Sequence, residues 1–418
     1  MAEVCVIGLG YIGLPTALAF ANSGKSVCGV DALEAVCDSV NRGEVHIAEP
    51  GLDDIARSVH ALGKLQATTK PLKSDCYIIA VPTPITKEKK ADLSYVRNAA
   101  RSIAGVLEPG NLVVLESTVP PRCTVDILVP ELEKSGFEAS RDFLVAHCPE
   151  RVLPGKILHE IVYNNRIIGG IDEDSARAAK DLYSAFVQGD MLLTSSTTAE
   201  LCKLMENTFR DVNIALANEL AMLCEGFGVN AWEVIELANM HPRVNIHQPG
   251  PGVGGHCLAV DPWFIVEKQP EVARLIGISR EVNDEMPHRV AEIISKNTVV
   301  GGKVVLMGVT YKPNIDDMRE SPITDIRDIL ECEGHQVSIV DPFIQEFNHC
   351  IYGVAANADT VVLCVNHAAF NDVDLKELAS VMRGKLLIDT RNFFEEGLAA
   401  EAGLRYVCLG NGLTDNHV

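Results

Sequence analysis

The chain has 418 residues, 47% of them hydrophobic, enough for two to four cored domains at roughly 100–200 residues each. A net charge of −21 and a pI near 5.0 set up general repulsion toward polyanions, which argues against nucleic-acid partners. No apolar run reaches the ~18 residues of a bilayer span, and the first residues lead straight into a strand pattern without a basic leader; the expectation is a soluble, cytoplasmic protein. Thirteen cysteines, without a CxxC pair, and twelve histidines, without HExxH spacing, predict neither a disulfide frame nor a metal site.

In chain order, strands are predicted at Val4–Ile7, Ser26–Val30, Cys76–Val81, Leu112–Leu115 and Phe143–Ala146, with helices such as Leu14–Ser23 and Ser94–Val106 between them. This alternation predicts a parallel sheet covered by helices on both faces. Residues Thr197 to Glu225 hold neither proline nor glycine. There Leu201, Leu204, Met205, Thr208, Val212, Ala215, Leu216 and Leu220 recur at three- and four-residue steps, predicting one apolar face of a long helix. Such a helix, on the order of 40–45 Å long, commonly spans domains or carries a dimer interface. Further strands at Val304–Met307, Gln336–Val340, Thr360–Val365 and Leu386–Ile388 predict a second, smaller α/β unit. The expected fold is α/β: two Rossmann-like parallel-sheet domains (1–196 and 298–418) joined by a central helical domain (197–297) that carries the long helix.

Two stretches carry chemistry. Gly8-Leu9-Gly10-Tyr11-Ile12-Gly13 follows the first strand and opens a helix. Gly8 permits the tight turn, Gly10 lets backbone approach a pyrophosphate, and Gly13 allows close helix–strand packing. Asp31 ends the second strand, where a carboxylate binds the adenine-ribose diol and repels a 2′-phosphate, so NAD is expected over NADP. Farther on, Gly254-Gly255-His256-Cys257 precedes a predicted helix whose first turn would hold Cys257 and whose dipole would favour its thiolate. Asp261 would share its face. Taken alone, Cys257 reads as well as a buried small thiol as a nucleophile. Cys5, Cys28, Cys76 and Cys364, within apolar strands, are expected to be packing.

With these motifs in view, the chain resembles the UDP-glucose/GDP-mannose dehydrogenase family. The likeness rests on Ala199-Glu200-Leu201-Cys202-Lys203-Leu204-Met205-Glu206-Asn207, on Gly254 through Asp261, and on Tyr311-Lys312 with Met318-Arg319-Glu320-Ser321. The stretch from His241 to Cys257 most resembles the branch acting on UDP-N-acetyl-D-mannosamine. The resemblance implies a four-electron oxidation of the sugar C6 alcohol with two NAD in turn, through a thiohemiacetal and a thioester on Cys257. It makes Lys203 and Asn207, one helical turn apart, partners in proton transfer and oxyanion stabilisation, and Glu150 the base of thioester hydrolysis. Thr83 and Thr118 would meet the cofactor, Thr118 also holding water, and Arg319 would reach cofactor phosphate. Arg151, Val152, Arg210, His241, Arg243, Gly254, Tyr311 and Lys312 would line the UDP-sugar pocket, with His241 and Arg243 drawn from a neighbouring subunit of a homodimer or higher oligomer.

One departure bears on the substrate. Where much of the family has serine before the cysteine and lysine before the aspartate, this chain has His256 and Val260, which disfavours UDP-glucose. UDP-N-acetylglucosamine and GDP-mannose stay open as substrates. A two-electron β-hydroxyacid dehydrogenase would leave Cys257 and the last α/β unit without work, and intact Lys203, Asn207, Cys257 and Asp261 argue against a non-catalytic sugar-nucleotide sensor.

Overall fold

The computed structural model describes residues 2–47, 49–153, 155–255 and 257–412. They form two compact units, one running to Glu206 and including Glu267–Gln269, the other comprising Asn207–Val266 and the chain from Pro270.

The first unit is built on eight strands: β1 (Ala2–Ile7), β2 (Val27–Val30), β3 (Leu65–Thr68), β4 (Ser74–Ile79), β5 (Leu112–Leu115), β6 (Leu144–His147), β7 (Arg166–Gly170) and β8 (Met191–Ser195). Their order is β3-β2-β1-β4-β5-β6-β7-β8. All neighbours run parallel except β6 and β7, which are antiparallel. Burial on both faces explains the apolar strands: Val4 and Val6 enter one core with Leu14, Leu18 and Phe20, while Cys5 and Ile7 enter another with Tyr77, Ile103 and Leu115. Cys5, Cys28 and Cys364 are buried and Cys76 half-buried, as packing residues are. The order of strands reverses between β1 and β4, and the crevice at their carboxyl ends is where such sheets bind nucleotides.

In the second unit β9 (Lys303–Met307), β10 (Gln336–Val340), β11 (Thr360–Leu363), β12 (Leu386–Asp389) and β13 (Arg405–Cys408) form a wholly parallel sheet, ordered β10-β9-β11-β12-β13. The predicted strands are all present, with ends shifted by a residue or two. The sequence reading missed β3, β7, β8 and β13, of which β3, β8 and β13 lie at sheet edges.

The long helix spans Ser196–Phe227, 32 residues, and Gly228 at φ +71° follows its end. Its predicted single apolar face is in fact two faces. Leu204, Thr208, Asp211, Ala215, Asn218 and Ala221 are buried, whereas Leu201, Met205, Phe209, Leu216, Leu223 and Phe227 are exposed. Three- and four-residue steps alone merged them, because adjacent stripes on a helix share those spacings.

In the second unit the buried face is polar. Asp211 is ion-paired with Arg280 of the Arg274–Asn297 helix, and only 0% and 1% of these residues are exposed. Asn283 donates to Asp211 Oδ1 at 2.8 Å, Asn218 donates to Asn283 Oδ1 at 2.9 Å, and the Gly250 N–H donates to Asn218 Oδ1 at 2.9 Å. This chain of bonds ties two helices to the glycine- and proline-rich loop. Removing one partner strands a buried charge, so Arg280→Met is expected to cost about 3–5 kcal/mol. Adding Asp211→Leu should recover most of that loss, as urea unfolding of the two variants would measure.

Candidate active site

At the first switch point the turn after β1 has little freedom. A Cβ on Gly8, at φ +93°, would lie 2.5 Å from the Ala80 carbonyl oxygen, and one on Gly13 would lie 1.7 Å from that of Gly8. Gly10, by contrast, would meet nothing within 4 Å, so its backbone is open to an approaching group. Exposed Tyr11 and half-buried Ile12 complete the turn, and the helix begins at Gly13. Asp31 braces the loop: its Oδ2 accepts the Leu9 N–H and its Oδ1 the Leu33 N–H, each at 3.0 Å. An open glycine turn, a helix N-terminus and a half-exposed carboxylate together suit a dinucleotide. Beside them Thr83 Oγ1 donates to the Thr118 carbonyl at 2.6 Å, joining the loops after β4 and β5.

Glu150 is not a solvated acid paired with the Arg151 side chain. Its Oε2 accepts from Arg166 Nη2 at 2.7 Å, and its Oε1 accepts the Arg151 N–H at 2.7 Å. The Arg151 guanidinium instead reaches Glu206 at 2.6 Å and the Asn165 carbonyl, with Val152 half-buried beside it in sequence. Arg166 stands 3.9 Å from Glu116 and lies over the Tyr183 ring at 4.8 Å. Burial pushes the Glu116 carboxyl up to about 7, and it accepts from Tyr183 at 2.6 Å and Thr16 at 3.2 Å. Neither Arg166 nor Glu116 was singled out from sequence. Their only signal was a charge at the border of an apolar strand.

In the second unit Asn207 and Asp261 are buried, and Asn207 Nδ2 donates to Asp261 Oδ2 at 2.6 Å. Arg210 donates to Asn207 Oδ1, which fixes the orientation of the amide. Half-buried Lys203 precedes Asn207 by one turn of the same helix, as its spacing predicts.

Cys257 does not lie in the first turn of a helix. Residues 257–260 form turns, and the helix is Asp261–Lys268. Pro262 is the reason: without an N–H it suits a helix start and would break a helix begun at Cys257. The Cys257 carbonyl accepts the Val260 N–H at 3.1 Å and the Asp261 N–H at 2.9 Å, and the residue is exposed. The helix-dipole argument for its thiolate therefore falls away. His256 lies outside the described residues.

The separated motifs of this unit do meet. A Cβ on Gly254 would lie 2.5 Å from the Glu320 carbonyl oxygen, and one on Gly255 2.8 Å from the Tyr311 ring. Lys312 is exposed, and Arg319 forms an ion pair with Asp317 at 2.7 Å. His241 and Arg243 are exposed in one turn, the Arg243 N–H donating to His241 Nδ1 at 3.3 Å. Sequence reasoning missed Arg391 beyond β12, whose Nε donates to the Cys364 carbonyl at 3.2 Å. Its guanidinium packs on Gly250, where a Cβ would lie 2.3 Å from Nη1. Its place just past the carboxyl end of a parallel strand was the available clue.

Comparison with known proteins places the chain. It belongs to the UDP-glucose/GDP-mannose dehydrogenase family, whose NAD binding domain matches residues 2–187, central domain 197–285 and UDP binding domain 305–396. It is accordingly an NAD-dependent nucleotide-sugar dehydrogenase. Its relatives include a UDP-N-acetyl-D-mannosamine dehydrogenase of Methanococcus vannielii, 46% identical over 98% of this chain and 97% of that one. An NDP-N-acetyl-D-galactosaminuronic acid dehydrogenase of Ralstonia nicotianae is 47% identical over 94% of this chain and 96% of its own length. The solved UDP-D-ManNAc dehydrogenase of Pyrococcus horikoshii superposes with a TM-score of 0.91 at 42% identity, covering 98% of this chain and 100% of that one.

Because Asp31 both braces the turn and carries the charge, the two roles can be separated. Asp31→Asn keeps an acceptor for Leu9 while removing the repulsion of a 2′-phosphate. The ratio of kcat/KM for NADP over NAD should rise roughly tenfold or more, about 1.4 kcal/mol at 25 °C, with little change in melting temperature.

Proposed function

We propose that the protein oxidises the C6 hydroxyl of UDP-N-acetyl-D-mannosamine to the carboxylate, giving UDP-N-acetyl-D-mannosaminuronate. The observation that carries this substrate is the 46% identity, over 98% of the chain, to a relative named for it. The similarly long match to an NDP-N-acetyl-D-galactosaminuronic acid dehydrogenase supports a galacto-configured sugar as the second reading.

In this reading residues 1–196 bind NAD, 197–297 carry dimerisation and catalysis, and 298–418 bind the UDP-sugar. Gly8, Gly10, Tyr11, Ile12 and Gly13 hold the cofactor pyrophosphate at the helix N-terminus, and Asp31 takes the ribose hydroxyls. Thr83, Thr118 and Arg319 complete the cofactor's contacts. When bound, NAD+ supplies the hydride acceptor for each oxidation, two per sugar.

Lys203 assists removal of the hydroxyl proton, and Asn207, its amide oriented by Asp261 and Arg210, donates to the developing oxyanion. The Cys257 sulfur adds to the aldehyde carbon, which keeps the reactive carbonyl in place and leaves a thioester after the second oxidation. Glu150 accepts a proton from the attacking water, the carbon–sulfur bond breaks, and Cys257 leaves as thiolate. Arg151, Val152, Arg210, His241, Arg243, Gly254, Tyr311 and Lys312 hold the UDP-sugar.

The exposed apolar stripe of the long helix supports a homodimer, from which the neighbour would lend His241 and Arg243. Light scattering should give twice the chain mass at micromolar concentration, and Phe209→Glu with Leu216→Glu should halve it. A wild-type monomer would remove the dimer.

The chemistry is tested by NADH counted per sugar over a panel of UDP-N-acetylmannosamine, UDP-N-acetylglucosamine, UDP-N-acetylgalactosamine, UDP-glucose and GDP-mannose. The first should give two NADH and the highest kcat/KM. Cys257→Ser, a poorer nucleophile and leaving group, should still bind NAD but lose steady-state turnover by a factor on the order of 100 or more. Two NADH per sugar at a near-normal rate from Cys257→Ser would exclude the covalent route.

A further inference from the structure

A hydrolytic base must be ionised and aimed, and Glu150 has no ladder of secondary structure to hold it. It lies in the loop three residues past the end of β6. What faces it is set by the only antiparallel neighbours in the eight-stranded sheet. β6 and β7 pair Ala146 with Gly170 and His147 with Gly169. Continuing that register three residues past His147 sets Glu150 opposite Arg166, the first residue of β7. A parallel β7 would have placed its first residue at the far end of the sheet.

Arg166 has almost no freedom of its own. Its side chain is 5% exposed, and its guanidinium lies 4.8 Å from the Tyr183 ring centroid and 5.7 Å from that of Phe186. Nη1 donates to Cys148 Sγ at 3.7 Å, and Nη2, besides its bond to Glu150, donates to the Ile161 carbonyl at 3.4 Å. Burial opposes its charge, but Glu150, Cys148 and Glu116 around it hold that charge in place. Glu116 is 3.9 Å away and, with its carboxyl pushed up to about 7 by burial, competes only in part for the guanidinium. Arg166 is thus a rigid cation whose close carboxylate partner is Glu150.

We propose that Arg166 is the positioning residue of Glu150, holding its carboxylate in place and aimed for hydrolysis of the acyl-cysteine. The inference rests on the reading of Glu150 as the hydrolytic base. In that step a water oxygen bonds to the thioester carbon, a water proton passes to Glu150, and the carbon–sulfur bond breaks to release carboxylic acid and thiolate. No electrons change hands, so loss of Arg166 falls on hydrolysis and leaves both oxidations intact.

The test compares Arg166→Met, Arg166→Lys and Glu150→Gln with wild type in the full-length enzyme, mixed rapidly with NAD and UDP-N-acetylmannosamine. Absorbance reads the NADH burst, and intact mass reads the sugar acyl group on Cys257. Arg166→Met should keep a burst of two NADH per site, accumulate the adduct, and turn over roughly 10- to 100-fold more slowly, within the span of general-base effects. Arg166→Lys, which keeps the charge without the planar fork, should lie between it and wild type. If Arg166→Met does not fold, Arg166→Lys carries the same comparison.

Folded Arg166 variants that hydrolyse at the wild-type rate, or that lose burst and hydrolysis in equal proportion, overturn the proposal. Glu150→Gln separates the two levels. If it traps the adduct while the Arg166 variants do not, the base reading stands and the positioning role is wrong. If Glu150→Gln traps nothing, the base reading fails and takes this inference with it.

Discussion

A guanidinium withdrawn from water has to find carboxylates, and two such arginines organise the two units of this chain. Arg166 gathers Glu150 and Glu116 with the rings of Tyr183 and Phe186, while Arg280 gathers Asp211 and Asp284. Breaking such a pair costs more than the pair itself contributes, since the partner's charge stays buried. Each cluster therefore penalises any rearrangement that separates its partners. In the first unit it settles the loop that leaves β6. In the second, through Asn283 and Asn218, it settles Gly250 and the start of the loop leading to Cys257. The chemistry proposed for Glu150 and Cys257 depends on loops, and loops hold a geometry only when something buried holds them.

The two sheets apply one device differently. In each, an aspartate at the end of the second strand accepts an N–H from the turn after the first, Asp31 from Leu9 and Asp341 from Val309. Asp31 is half-exposed, which leaves it the face that the proposed function assigns to the ribose of NAD. Asp341 is fully buried and also takes the Phe343 N–H and a bond with the His367 ring, leaving nothing for a ligand. That agrees with the family's NAD binding domain matching the first sheet, residues 2–187, and its UDP binding domain matching residues 305–396 around the second. The difference is one of burial, since both are aspartates at strand ends.

What the sequence determined by itself was carried by short-range pattern. The apolar strands, the turn from Gly8 to Gly13, the proline- and glycine-free run of the long helix, and the ordered family motifs all depend on residues a few positions apart. One local signal was misread: Pro262 marks the helix start at Asp261 and removes Cys257 from it.

Only the tertiary structure decided the rest, because it depends on partners far apart in the chain. Nothing near Glu150 in sequence announces Arg166, since their meeting follows from a single antiparallel strand pair. Nothing near Gly250 announces Arg391. The long helix shows the same division: its periodicity was legible, but which of two adjacent stripes would be buried was settled by where Arg280 and Asn283 stand to receive Asp211 and Asn218. Sequence period states that a face exists, and burial of that face is decided by what packs against it.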